Sequence, residues 1–471
     1  MIKLYIVVIA TALVCGCSFF NFFSYEEDTG LHVIERPKGY DNAKFGIELA
    51  PTSTPESDMF AVSAGRGHPT LFYRLSDNGD LVDVLDPMKQ YLADSEDATE
   101  VSNSGTGAAL AGLPHWGSGL RGCVAIGEPD ANKVVINCDP GNSKKGITLG
   151  ESDEKEFGHK LAAIRPTDGG YWLLATAAEH SVWVYSNHER PDRNHSEAFV
   201  ARAEGGARAG EVIEVAGGRL EERFFVAVAT FNEKSSRHQV YIFVQREANS
   251  QEVSQVACIE HSKEPGFGGT MTTGDLDGDD KDELIVSGAQ IAKRENKVYI
   301  YDVAELVPAP DETDVVNTCV PDTIEHAAVL EPGEGDLDVE CGEDCDFGTT
   351  LVAGDIATDV DGMELMVGAP GAKVEGVREA GAIYVYSTGD EYRSAVELSG
   401  QVSDSTPEQG HRFGGGLTVA SMAGRNELLV GVTGKGQVVI AFCTGVGTDV
   451  EEGGDVTTNA SGSLVSTRCR P

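Results

Sequence analysis

The sequence predicts an all-β fold, a closed ring of seven four-stranded sheets. Three observations predict it. Short apolar strands alternate with Gly- and Asp-rich turns, and no helical period is sustained. One unit of strands recurs seven times along the 471 residues. Finally, a fourth strand follows six of the units, while the remaining one stands ahead of the first unit, at the N-terminal end.

The unit begins with a Phe-Gly pair, followed by an apolar strand, a loop, a second strand, a Gly-rich turn and a third strand. Phe45-Gly46, Phe157-Gly158, Phe267-Gly268, Phe347-Gly348 and Phe413-Gly414 open five copies. Two copies are degenerate. Gly107 to Cys138 has lost the Phe, and Ala207 to Val244 has lost the whole pair. The period averages about 65 residues, longer than the ~40–50 of compact blade repeats. LVDVL, GITLG, SEAFVAR, EVSQVACI, IEHAAVL and SAVELSG supply six fourth strands. Leu31 to Arg36 is the seventh and is expected to pair into the last unit, closing the ring and covering a sheet edge that could template aggregation. Residues Ser463 to Arg468 are the competing candidate for that edge. The Phe is expected to fill the core between units, and the Gly to adopt a positive φ in a tight turn.

Charge bounds the partners. With 36 Lys+Arg against 76 Asp+Glu the net charge is −40, which disfavours nucleic acid or anionic lipid as a main partner. A hydrophobic content of 41% supplies a genuine core. The N-terminus carries a short positive start and an apolar run from Leu4 to Val14, far below the ~20 residues a membrane-spanning helix needs. The run ends in Val14-Cys15-Gly16-Cys17-Ser18, which resembles a bacterial lipobox with Cys17 as the lipidated residue. An ordinary cleaved signal is the alternative. The lipoprotein reading divides the chain into a signal peptide (1–16), a lipid-proximal tether (17–30), the ring (31–443) and a Gly/Ser/Thr-rich tail (444–471). It implies an exported protein, held at a bacterial outer membrane or cell surface by its lipid alone.

Beyond Cys15 and Cys17, eight cysteines remain, an even number that points to disulfides in an exported chain. Proximity pairs Cys123 with Cys138, Cys443 with Cys469 and Cys341 with Cys345. Cys258 and Cys319 are left to each other by elimination. A zinc site at Cys341 and Cys345 is disfavoured because no His lies beside them.

The Phe-Gly pairs together with Gly368-Ala369-Pro370 resemble the FG-GAP repeat family, which includes the seven-bladed β-propeller of integrin alpha subunits and many bacterial surface proteins. The resemblance covers residues 31 to 443. Only one copy has the full Gly-Ala-Pro triplet; others read SGAQ, GEPD or VTGK. It implies an all-β, seven-bladed β-propeller of four-stranded blades closed by the N-terminal strand. It also implies that some blades carry a calcium loop between their first two strands.

One loop meets that chemistry. GDLDGDDKDEL, from Gly274 to Leu284, places oxygen donors at alternate positions: Asp275, Asp277, Asp279, the carbonyl of Lys281, and Glu283. Ca2+ takes six to eight such hard ligands. An EF-hand is excluded, since its twelfth position would be Val286. Asp280 occupies a position usually held by Gly, where a left-handed backbone is needed and Asp is tolerated. Asp280 and Asp282 are expected to face solvent. The plain alternative is a solvated acidic loop. In the sixth copy Asp355, Asp359, Asp361 and Glu364 are present, but Ala357 breaks the spacing, and calcium there is left open. The insert from Glu331 to Asp346 is expected to be an exposed acidic loop.

No nucleophile motif, metalloprotease helix motif or phosphate-binding glycine loop is found, so no catalytic residues are assigned. His115-Trp116 is read as packing. The expected role is a non-enzymatic, calcium-stabilised binding or adhesion and assembly scaffold with a protein or glycan partner. A glycan-binding lectin, or a divergent hydrolase using the central funnel, is the alternative.

Overall fold

A computed structural model describes the chain between residues 32 and 441, apart from loop segments of which 86–108 and 186–209 are the longest. Cys17, the proposed signal and tether, the C-terminal tail and the Cys443–Cys469 pair lie outside the described residues.

The chain forms seven antiparallel blades. The N-terminal strand is β1 (His32–Glu35). Blade 1 holds β2 (Leu49–Pro51), β3 (Met59–Val62), β4 (Leu71–Leu75) and β5 (Leu81–Leu85). Blade 2 holds β6 (Ala109–His115), β7 (Arg121–Glu128), β8 (Lys133–Asn137) and β9 (Ile147–Gly150). Blade 3 shows three strands, β10 (Lys160–Ile164), β11 (Leu173–Ala177) and β12 (Val182–Tyr185). Its expected fourth strand, SEAFVAR, lies outside the described residues. Blade 4 holds β13 (Glu211–Leu220), β14 (Arg223–Asn232), β15 (Arg237–Gln245) and β16 (Val253–Ile259). Blade 5 holds β17 (Thr270–Gly274), β18 (Glu283–Ser287), β19 (Val298–Tyr301) and β20 (Ala328–Leu330). Blade 6 is built from β22 (Thr350–Gly354), β23 (Glu364–Ala369), β25 (Ala382–Thr388) and β26 (Val396–Ser403). Blade 7 holds β27 (Phe413–Met422), β28 (Arg425–Val432) and β29 (Gln437–Ala441), and its outer strand is β1.

Closure takes the expected form. His32, Val33, Ile34 and Glu35 pair with Ile440, Val439, Val438 and Gln437. Ile34 is buried, and Gln437 Nε2 donates to Glu35 Oε1. The first strand of each blade touches that of the next, and β27 touches β2, so the inner ring is complete. These seven strands surround a central cavity of about 590 Å³.

The repeat explains the packing. Buried apolar side chains form seven clusters, and each spans one blade-to-blade interface. Each Phe of a Phe-Gly pair is fully or almost fully buried in the cluster shared with the preceding blade. Four of them meet a tyrosine of their own third strand edge-on: Phe45 with Tyr73, Phe157 with Tyr185, Phe267 with Tyr299, and Phe347 with Tyr384. That is the favoured geometry for aromatic quadrupoles. Where the Phe is lost, other side chains fill the interface. Phe72 of blade 1 packs on Leu110 and Val124 of blade 2, and Phe224 and Phe243 of blade 4 pack on blade 3. The five glycines of the pairs all have positive φ, between 81° and 90°, as expected. Trp116 is buried, in keeping with its reading as packing.

Three expected disulfides are formed: Cys123–Cys138, Cys258–Cys319 and Cys341–Cys345. The last excludes a zinc-thiolate site there. The described acids Glu331, Glu340 and Asp344 of the acidic insert are exposed, as expected, while other parts of it pack on blade 6. The insert's residues Val339–Glu340 form β21, which pairs with β24 (Lys373–Val374) beside blade 6. Cys345 is buried against that blade, because its disulfide anchors the insert to an apolar cluster. Among the described residues helix is nearly absent; the turn α1 (Val303–Leu306) is nucleated by Asp302, whose side chain accepts from the Ala304 and Glu305 N–H groups.

Candidate metal centre

Residues 275–282 connect β17 to β18, the first two strands of blade 5. Strand pairing brings the ends of the loop together, since Gly274 lies opposite Glu283. Acidic side chains eight positions apart therefore converge. Asp275, Asp277 and Glu283 each present one oxygen, and these oxygens all lie within 4.8 Å of one another. Gly278 and Asp280, both at positive φ (75° and 69°), turn the chain between them. Asp280 thus adopts the left-handed backbone expected at its position.

The electrostatics are those of a carboxylate cluster. Glu283 is only 2% exposed. Burial pushes its carboxyl up to about 9 against the pull of the Leu276 N–H, and the nearby Asp277 and Asp279 add to the rise. The same N–H donates to Glu283 Oε2 at 2.8 Å. Asp275 and Asp277 are raised too, again chiefly by burial. Asp275 Oδ2 accepts from the Asp280 N–H and the Gly278 N–H also draws on this carboxyl, while its buried Oδ1 has no hydrogen-bond partner among the described residues. An acceptor left in that state costs about 1–3 kcal/mol, and a bound cation would satisfy it.

Of the four expected carboxylates, three are brought together and Asp279 is not. Asp279 is drawn outward by Lys281, whose Nζ donates to Asp279 Oδ2 at 2.6 Å and whose N–H donates to Oδ1 at 2.9 Å.

Asp282 corrects an expectation. It is 5% exposed rather than solvent-facing. Its Oδ2 accepts from the Arg219 N–H at 2.7 Å, and its own N–H donates to the Arg219 carbonyl at 2.9 Å. Strand alternation explains the burial: Asp282 precedes β18 and points toward blade 4, where the end of β13 supplies a partner. Asp280 does face outward, yet Arg219 reaches both its carbonyl and its carboxylate. On the other side, the Met363 N–H of blade 6 donates to the Asp275 carbonyl at 2.9 Å. The loop is thus held between two neighbours. Arg219 was invisible to motif reasoning, as it stands 61 residues from Asp280. Its only sequence trace is a basic residue at the end of an apolar strand.

Blade 6 repeats part of the arrangement. The Ile356 N–H donates to Glu364 Oε2 at 2.9 Å, as Leu276 does to Glu283, and Glu364 is 2% exposed. Asp355 is raised by burial. Asp359 and Asp361 lie outside the described residues.

A line of Tyr301, His261 and Asp322 looks catalytic at first sight. His261 Nε2 lies 2.7 Å from the Tyr301 hydroxyl, and Nδ1 lies 3.6 Å from Asp322. However, Tyr301 is 1% exposed, and burial lifts its phenol far above the ordinary range, the reverse of an activated nucleophile.

No protein-family model and no curated protein matches the chain. Among the described residues, no helix is long and apolar enough to cross a membrane.

Proposed function

We propose that this seven-bladed propeller belongs with the FG-GAP repeat proteins and works as a calcium-stabilised binding scaffold. Asp275, Asp277 and Glu283 would hold the ion, joined by Asp279 once it leaves Lys281 and by the Lys281 carbonyl. The observation that carries the reading is the carboxylate trio, Asp275 and Glu283 buried and Asp277 half-buried, with its unpartnered Asp275 oxygen, in the loop between the first two strands of a blade. When bound, Ca2+ supplies charge compensation there. This chain's own residues do the rest: Arg219 and Met363 fix the loop to blades 4 and 6, so that loading would stiffen three blades at once. Lipidation at Cys17 would hold the ring at a bacterial outer membrane or cell surface, leaving its loops for a protein or glycan partner.

Affinity capture from native envelope, with and without a calcium chelator, tests the scaffold role. The reading expects a defined protein or glycan partner that is lost on chelation and regained with Ca2+. A parallel screen on esters, phosphodiesters and glycosides tests the alternative. Turnover abolished by a substitution in the central cavity, with folding intact, would replace the scaffold by a hydrolase.

A further inference from the structure

The central cavity contains a second polar constellation, distinct from the acidic loop. The residue two places after each Phe-Gly pair lies on the cavity wall or beside it: Glu48, Lys160, Thr270, Thr350 and Gly416. Three of these side chains tie their blade to the next. Lys160 Nζ donates to Glu214 Oε2 of blade 4 at 2.6 Å, Thr270 Oγ1 to the Thr349 carbonyl, and Thr350 Oγ1 to the Gly414 carbonyl. Glu48 breaks the series. No hydrogen bond or ion pair holds its carboxylate among the described residues, and the residue is half-buried on the cavity wall. The next blade offers Ala109 and Leu110, which cannot pair with it.

We propose that the cavity is a binding site for a small organic cation, a primary ammonium on a short apolar body, with Glu48 as its counter-ion. Charge selects the cation. Lys160 and Glu214 neutralise one another, so ionised Glu48 leaves the wall with one uncompensated negative charge. Shape selects an organic ion over a bare metal, since one carboxylate falls far short of the six to eight oxygens calcium takes. The threonine hydroxyls already donate to backbone, which leaves few groups for a sugar and favours an apolar body against Leu49, Leu110 and Met271. A volume of about 590 Å³ suits a small molecule. Burial raises the Glu48 carboxyl to about 7, opposed by Lys160 and reinforced by Glu214, the charged groups that face it. Binding should therefore strengthen as pH rises from 6 to 8.

Saturation-transfer NMR with n-butylammonium tests the site on the full chain, with n-butanol as the neutral control. Wild type should show saturable binding of the cation and not of the alcohol, in the millimolar range where each tenfold change is worth about 1.4 kcal/mol. Glu48→Gln, isosteric and needing no counter-charge, should bind at least about tenfold more weakly and lose the pH dependence. Lys160→Met should bind more tightly, because Glu214 then adds its charge. Equal binding by a folded Glu48→Gln would overturn the proposal, whatever the shift in its melting temperature. So would equal uptake of n-butanol, or no saturable binding below about 50 mM. None of these results depends on calcium.

Discussion

Phe347 and Gly348 show how much one dipeptide of the repeat controls. The Phe ring fills the core between blades 5 and 6, edge-on to Tyr384. The Gly, at φ +84°, packs against Ser287 and Val298 with no room for a side chain. Phe347→Ala should cost about 3–5 kcal/mol, read as a lower denaturant midpoint at unchanged slope. Gly348→Ala should destabilise through both strain and overlap. Glu48 makes a prediction of opposite kind. Its carboxyl is raised from 4.5 to about 7, so it contributes stability below pH 4.5 that is lost as pH climbs toward 7. Glu48→Gln should therefore gain stability relative to wild type between pH 5 and 8, measured by denaturation at each pH. The Phe-Gly pairs were legible because each is a local signal with a local role. Asp282 was not, since its burial depends on Arg219, 63 residues away in another blade.

Strands were legible from their apolar alternation, and so was the unusual one. Six units carry a fourth strand behind them and one lies in front, and β1 pairs with β29 as that count requires. The small β21–β24 ribbon escaped notice because two-residue strands carry no period. Removing residues 1–36 would leave the far side of β29 unpaired. The truncated chain should melt less cooperatively and self-associate, seen by calorimetry and size-exclusion chromatography. An intact monomer with wild-type melting would show that another segment can close blade 7. The Cys123–Cys138 disulfide closes a short loop between β7 and the end of β8. Replacing both cysteines by alanine should cost about 2–4 kcal/mol, because the unfolded chain regains the freedom the bridge removes.

At the scale of the whole molecule, stability rests on closure of a ring whose seven interfaces each hold an apolar cluster, under a formal charge of −40. In the blade 5 loop, Asp275, Asp277 and Glu283 are gathered and largely withdrawn from solvent. The acidic spacing of GDLDGDDKDEL was readable at once, and so was its place between two strands. The partners that hold the loop, Arg219 and Met363, appear only when neighbouring blades are brought alongside. The most direct test is calorimetric melting of the chelator-treated chain against Ca2+, with Mg2+ at equal ionic strength as control. The melting temperature should climb with the logarithm of Ca2+ concentration, reaching about 2.7 kcal/mol of added stability at a hundredfold excess over Kd. The climb should shrink sharply in Asp277→Ala. A melting temperature indifferent to Ca2+, or an equal climb in Asp277→Ala, would contradict the calcium clamp.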